Sequence, residues 1–128
     1  MKKIAVTSRN APKPIGPYSQ SVMAGDLLFL SGQLPIDPRT GKLVSGDIQA
    51  QTRQIFENIA AILEQAAVEF DDVLKATIFL RDIGDFSQVN EIYALYFKEP
   101  YPARSVLEVS GLALDAQIEI ELIVYAGE

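Results

Sequence analysis

The chain has no histidine and no cysteine in its 128 residues. Those absences exclude Ser-His-Asp and Cys-His catalysis, thiol nucleophiles and ordinary zinc sites, because the side chains that do the work are missing. General acid–base chemistry is left to Asp, Glu, Tyr and Lys. A carboxylate-only Mg²⁺ or Ca²⁺ site would need clustered acids, and neither a D-x-D cluster nor a calcium-loop pattern is present. Such a site stays possible but is not the expectation, and no metal is assigned. No apolar run approaches the ~20 residues that a membrane helix needs. The segment Met1-Lys2-Lys3-Ile4-Ala5-Val6-Thr7 places only three apolar residues behind its lysines, which does not read as a signal peptide. Without cysteine or a signal, the expected location is the cytosol.

Positive charge is also scarce. Eleven Lys and Arg stand against 17 Asp and Glu, for a formal charge of −6, and no basic run extends beyond Lys2-Lys3. Tight binding to a phosphate backbone rests on neutralising phosphates with Lys and Arg, so neither nucleic acid nor a membrane is an expected partner. What remains is a globular composition, 48% hydrophobic and 22% charged, with a mean hydropathy of +0.14. Residues 1–128 read as a single domain, long enough to bury about two-thirds of the unfolded surface.

Ile4 to Thr7 reads as a short edge strand. Asn10 to Tyr18 holds three prolines and a glycine in nine residues, which forbids regular structure and stiffens the loop that carries Tyr18. Ser19 to Ala24 and Leu27 to Ser31 flank Gly25-Asp26 as a hairpin. Gly32 follows at once, a strand-end glycine that marks either a turn or the close approach of other atoms. Asp37 to Gly41 reads as a plain turn. Asp47 caps a helix whose apolar stripe runs Ile48, Thr52, Ile55, Phe56, Ile59, Ile62, Leu63 and Ala66. In Val73 to Arg81, Leu74, Ala76, Ile78 and Leu80 share one face. Asp85 and Gln88 suggest a capping box for a second helix, with Phe86, Val89, Tyr93, Tyr96 and Phe97 inward. Pro100 and Pro102 end it, and Asn90 within it reads as a solvated residue.

The expected fold class is α+β, a single mixed β-sheet with two helices packed on one face. Leu27, Phe29, Phe79 and Ile123 then point to the uncovered face, a larger apolar patch than monomers tolerate. A homo-oligomer with the sheets packed inward would cover it.

Two alternating runs close the chain. In the first, Arg104, Val106 and Glu108 share a face opposite Leu107 and Val109. In the second, Ile118, Ile120, Leu122 and Val124 oppose Glu119, Glu121 and Ile123. Arg104 with an acid from the second run forms either a brace between strands or an acid-handling site, and composition does not separate Glu119 from Glu121.

Pro102-Ala103-Arg104-Ser105 with Ile118-Glu119-Ile120 resembles the signature of the Rid (YjgF-type) family of enamine/imine deaminases. Ile15-Gly16-Pro17-Tyr18-Ser19-Gln20, Ser31-Gly32-Gln33, Asp82 to Phe86 and Val89-Asn90 resemble family segments in the same order. The resemblance implies a chorismate-mutase-like homotrimer with sites at its interfaces. It also implies cofactor-free hydrolysis of 2-imino acids, or their 2-aminoacrylate-type tautomers, to 2-keto acids and ammonia. By this resemblance, Arg104 holds the substrate carboxylate and Glu119 positions water as the general acid–base. Gly32 offers its main-chain N–H, Tyr18 closes the site from a neighbouring subunit, and Ser31 and Asn90 line it. An iminium carbon is already electrophilic, so the implied reaction suits a chain without thiol or imidazole.

Two departures stand out. Many members carry cysteine where this chain has Val106, so only a main-chain contact can survive there. Gly111-Leu112-Ala113-Leu114-Asp115 replaces a segment that is often Arg-Leu-Pro-Lys-Asp, removing two positive charges. The competing reading is a non-catalytic regulatory module that binds small carboxylates through the same arginine. An RNA-cleaving or translation-inhibiting role ranks last on charge and on the absence of histidine.

Overall fold

The computed structural model of the chain describes residues 2–127. Its strands are β1 (Ile4–Val6), β2 (Ser21–Ala24), β3 (Leu27–Gln33), β4 (Ile36–Asp37), β5 (Lys42–Leu43), β6 (Val73–Leu80), β7 (Ala103–Glu108) and β8 (Ile118–Tyr125). The helices are α1 (Ile48–Gln65) and α2 (Phe86–Tyr96). Six strands form one mixed sheet in the order β1-β2-β3-β8-β6-β7, and β4 and β5 form a separate small hairpin. This is the expected α+β arrangement. Among the described residues no helix is long and apolar enough to cross a membrane.

The Gly25 turn closes β2 onto β3, with Gly25 at φ +59, a left-handed backbone that glycine adopts without steric cost. Asp47 caps α1 by accepting a hydrogen bond from the Ala50 N–H at 2.9 Å. The stripe on α1 buries Ile55, Phe56, Ile59 and Ile62 completely against the sheet. Each such side chain contributes about 1.5–3 kcal/mol of burial. Phe56 stacks on Tyr96 of α2 at 4.5 Å between ring centroids and meets Tyr93 and Phe97 edge-on. That aromatic contact locks α2 to α1 and sets the height of Asn90 and Tyr93 on α2.

Three sequence readings change. Asp85 makes no side-chain cap; a 3₁₀ turn over Ile83–Asp85 precedes α2, and Asp82 accepts from the Gly84 N–H instead. Leu74 is exposed and Val73 is buried in its place, because an irregularity between Val73 and Lys75 resets the alternation. Finally, β7 and β8 are not neighbours. β7 runs parallel to β6 at the sheet edge, β8 pairs with the other side of β6, and α2 makes the crossover between β6 and β7.

Candidate active site in two half-sites

Glu119 lies on the sheet face away from the helices, in register with Phe79 of β6. Its neighbour across the sheet is the end of β3, where the ladder slips between Leu30 and Gln33 and places Ser31-Gly32 in an irregular turn of strand. The slip brings Gly32 beneath the Glu119 carboxylate. A Cβ on Gly32 would stand 2.7 Å from Glu119 Cδ, so only glycine leaves room for the acid. Of the two readings of Gly32, close approach is the one realised.

Glu119, Gly32, Ser31, Tyr18, Ile15 and Ala113 line one cleft of about 420 Å³. The loop carrying Tyr18 is held by the buried Gln20 amide, which donates to the carbonyls of Ser8 (3.0 Å) and Pro12 (2.9 Å) and accepts from the Ser8 N–H at 2.8 Å. The Ser31 hydroxyl donates to the Ser19 carbonyl at 2.5 Å, fastening the same loop to β3. Ser31 therefore serves first as an anchor. The Tyr18 hydroxyl accepts from the Ile15 N–H at 3.3 Å. Burial, and secondarily the adjacent Glu121 charge, push the Glu119 carboxyl above its ordinary range. Glu121 itself is exposed and is not among the residues lining the cleft.

Arg104 stands on the opposite face. Its register partner is Ala76, which is fully buried under the helices. The guanidinium lies 4.7 Å from the Tyr93 ring centroid and 5.1 Å from that of Phe86. Its Nη1 donates to Asn90 Oδ1 at 2.7 Å. Asn90 is thus not a solvated residue; it orients the arginine. No carboxylate pairs with Arg104 among the described residues. Arg104, Asn90, Tyr93 and Tyr101 line a second cleft of about 390 Å³. Val106 shares this face and packs against the core, on an edge strand paired only with β6.

The brace reading of Arg104 and Glu119 fails on this geometry. One strand separates β7 from β8, the side chains leave opposite faces, and the register puts the two Cα atoms about 14 Å apart. Tyr18, Ser31, Gly32 and Glu119 come together within one chain; Asn90 and Arg104 come together elsewhere on it. Sequence reasoning missed Tyr93 and Phe86 as the bed of the arginine, although both were read as inward-facing. Among the described residues no three acidic side chains converge as metal donors.

A family model described as Endoribonuclease L-PSP matches residues 8–126. A crystal structure described as a conserved Rid family protein of unknown function from Yersinia pestis superposes with a TM-score of 0.94 at 50% identity, covering 97% of this chain and 99% of that one. The chain belongs to the Rid (YjgF) family. This Rid protein is 57% identical over 125 residues to a RutC family protein of Pyrococcus horikoshii, covering 98% of each. It is 48% identical over 123 residues to the chloroplastic Reactive Intermediate Deaminase A of Arabidopsis thaliana, covering 96% of this chain and 66% of that protein. The structure of the YjgF gene product of E. coli has a TM-score of 0.89 at 42% identity, over 95% of this chain and 98% of that one.

Proposed function

We propose that this Rid protein is an enamine/imine deaminase whose sites form between copies of the chain, the Arg104 cleft of one closing on the Glu119 cleft of the next, in a homotrimer. The observation that carries the reading is the separation itself. Among the described residues, an arginine with no acidic partner and an acid with no basic partner each line their own open cleft of one protomer. The exposed apolar residues of the uncovered sheet face, Phe29 and Leu107 among them, give the copies a surface to associate through.

The chemistry follows from the groups. The planar Arg104 fork, held by Asn90 and lying over Tyr93, binds the substrate carboxylate in two parallel hydrogen bonds. An enamine substrate first takes a proton from solvent at its β-carbon and becomes the iminium. Glu119, ionised, accepts a proton from water as the water oxygen bonds to the iminium carbon and the C=N π pair moves to nitrogen. Glu119, now protonated, gives that proton to the carbinolamine nitrogen, and as the C=O bond forms it takes the hydroxyl proton, which the departing ammonia carries away as ammonium. The C–N bond breaks, releasing ammonia and leaving the 2-keto acid. A carboxyl with a raised pKa suits both directions of that proton transfer near neutral pH. The Gly32 main chain lies directly under this carboxyl, within reach of a bound substrate.

The relative named Reactive Intermediate Deaminase A supports a role of this kind. RNA cleavage, the activity in the family description, has less support in a chain of charge −6 without histidine. The deciding experiment generates 2-aminoacrylate with a serine dehydratase and follows pyruvate and ammonia release. Release should be faster with this protein, and Arg104→Ala should abolish the gain. If release is no faster but pyruvate still binds, the regulatory carboxylate-binding reading replaces this one.

A further inference from the structure

The loop after β1, the β4–β5 hairpin and the middle of α1 enclose a third cavity, of about 420 Å³. It shares no lining residue with the Glu119 or Arg104 clefts. Its floor holds the buried amide of Asn58 and the partly buried amide of Gln54. Asn58 is 1% exposed and donates to the carbonyls of Leu34 (3.3 Å) and Ile36 (2.9 Å), while its Oδ1 accepts from Gln54 Nε2 at 3.0 Å. One rim is closed by Arg39, which grips Asp37 through Nε at 3.3 Å and Nη2 at 3.2 Å.

Two charges remain. Arg9 and Glu57 line the same cavity, and neither has an ion-pair partner among the described residues, each other included. A ligand of one sign would be attracted by one of them and repelled by the other. A molecule that carries a carboxylate and an ammonium close together satisfies both, with the Arg9 fork on the first and the Glu57 oxygens on the second. The Asn10 amide on the loop side suits a polar substituent. We propose that this cavity binds a free α-amino acid as its zwitterion, through Arg9 and Glu57. It stands close to the proposed catalytic cleft: Asn58 holds the Leu34 carbonyl, and Leu34 also lines the Glu119 cleft.

The test is ligand-observed NMR titration of the full chain carrying Arg104→Ala, which removes the carboxylate anchor of the proposed catalytic cleft, with L-serine and L-glutamine, using propionate and ethylammonium as single-charge comparators. Both amino acids should bind, and each comparator should bind about tenfold or more weakly. Glu57→Gln and Arg9→Gln alter exposed side chains, so the fold is retained; each should weaken amino-acid binding about tenfold. With the Arg104 anchor absent throughout, binding that depends on Arg9 and Glu57 is separate from the proposed catalytic cleft, whatever the fate of the deaminase reading. Propionate binding as tightly as the amino acids, unchanged binding in both surface variants, or no binding at all overturns the proposal.

Discussion

The Glu119 carboxyl group lies directly over the α-carbon of Gly32, closer than any residue with a Cβ would allow. Among the described residues no cation pairs with it, and the acid is placed by packing against the main chain. Gly32→Ala should displace the carboxyl, the movable end of a flexible side chain, without breaking the sheet. The far-ultraviolet circular dichroism should stay native, while kcat/KM for imine hydrolysis falls by roughly a hundredfold, as an ångström-scale misplacement does. Native activity in Gly32→Ala would mean that the position of Glu119 does not matter.

Asn90 and Arg104 form the other close pair, at 2.7 Å. Asn90→Ala removes the acceptor that fixes the guanidinium, and should raise KM more than it lowers kcat, since it loosens substrate anchoring. Arg104→Lys keeps the charge but loses the fork and the stacking over Tyr93 and Phe86, and should bind pyruvate about tenfold or more weakly. Calorimetric titration with pyruvate reads both variants, and wild-type affinity in Arg104→Lys would contradict the bidentate role.

In the proposed reaction Glu119 accepts a proton from water and so must be ionised, and its pKa is raised chiefly by burial and then by Glu121. The acid limb of the kcat/KM profile should therefore lie above the ordinary glutamate value of about 4.3. Glu121→Gln should move that limb down and keep the plateau; loss of the plateau would make Glu121 the base. Stability has its own sign. A carboxyl whose folded-state pKa is raised contributes stability that is fully present below the unfolded value and lost as pH rises through the folded one. Glu119→Gln should then melt higher than wild type at neutral pH, with the gap closing as pH falls toward the carboxylate range. A gap independent of pH would contradict the assignment.

Much of this molecule could be read from its periodicities. The α1 stripe, the Gly25 turn and the two faces of β7 and β8 follow from local spacing, and each recurs in the structure. Pairing between strands does not follow from it. Arg104 and Glu119 are close in sequence, which favours a brace, but β6 comes between their strands through pairings 28 to 51 residues apart. Strict alternation puts Leu74 inward, and one irregularity between Val73 and Lys75 turns it out to solvent. Arg9 and Glu57 are 48 positions apart, and nothing short of the fold could show that they share a cavity.

Phe29 is 42% exposed and Leu107 45% exposed on the sheet face that no helix covers. Phe29→Asp should dissociate the assembly to folded monomers in sedimentation velocity and abolish keto-acid release, because a lone protomer holds only separated half-sites. An active monomer would contradict a site formed between copies.

The most direct measurement mixes Arg104→Ala and Glu119→Gln chains, each inactive alone, refolds them together at equal ratio and assays 2-aminoacrylate hydrolysis. In a ring that takes each arginine from one copy and each glutamate from the next, random mixing restores about a quarter of wild-type activity. No recovery in verified mixed oligomers would contradict the two-chain site.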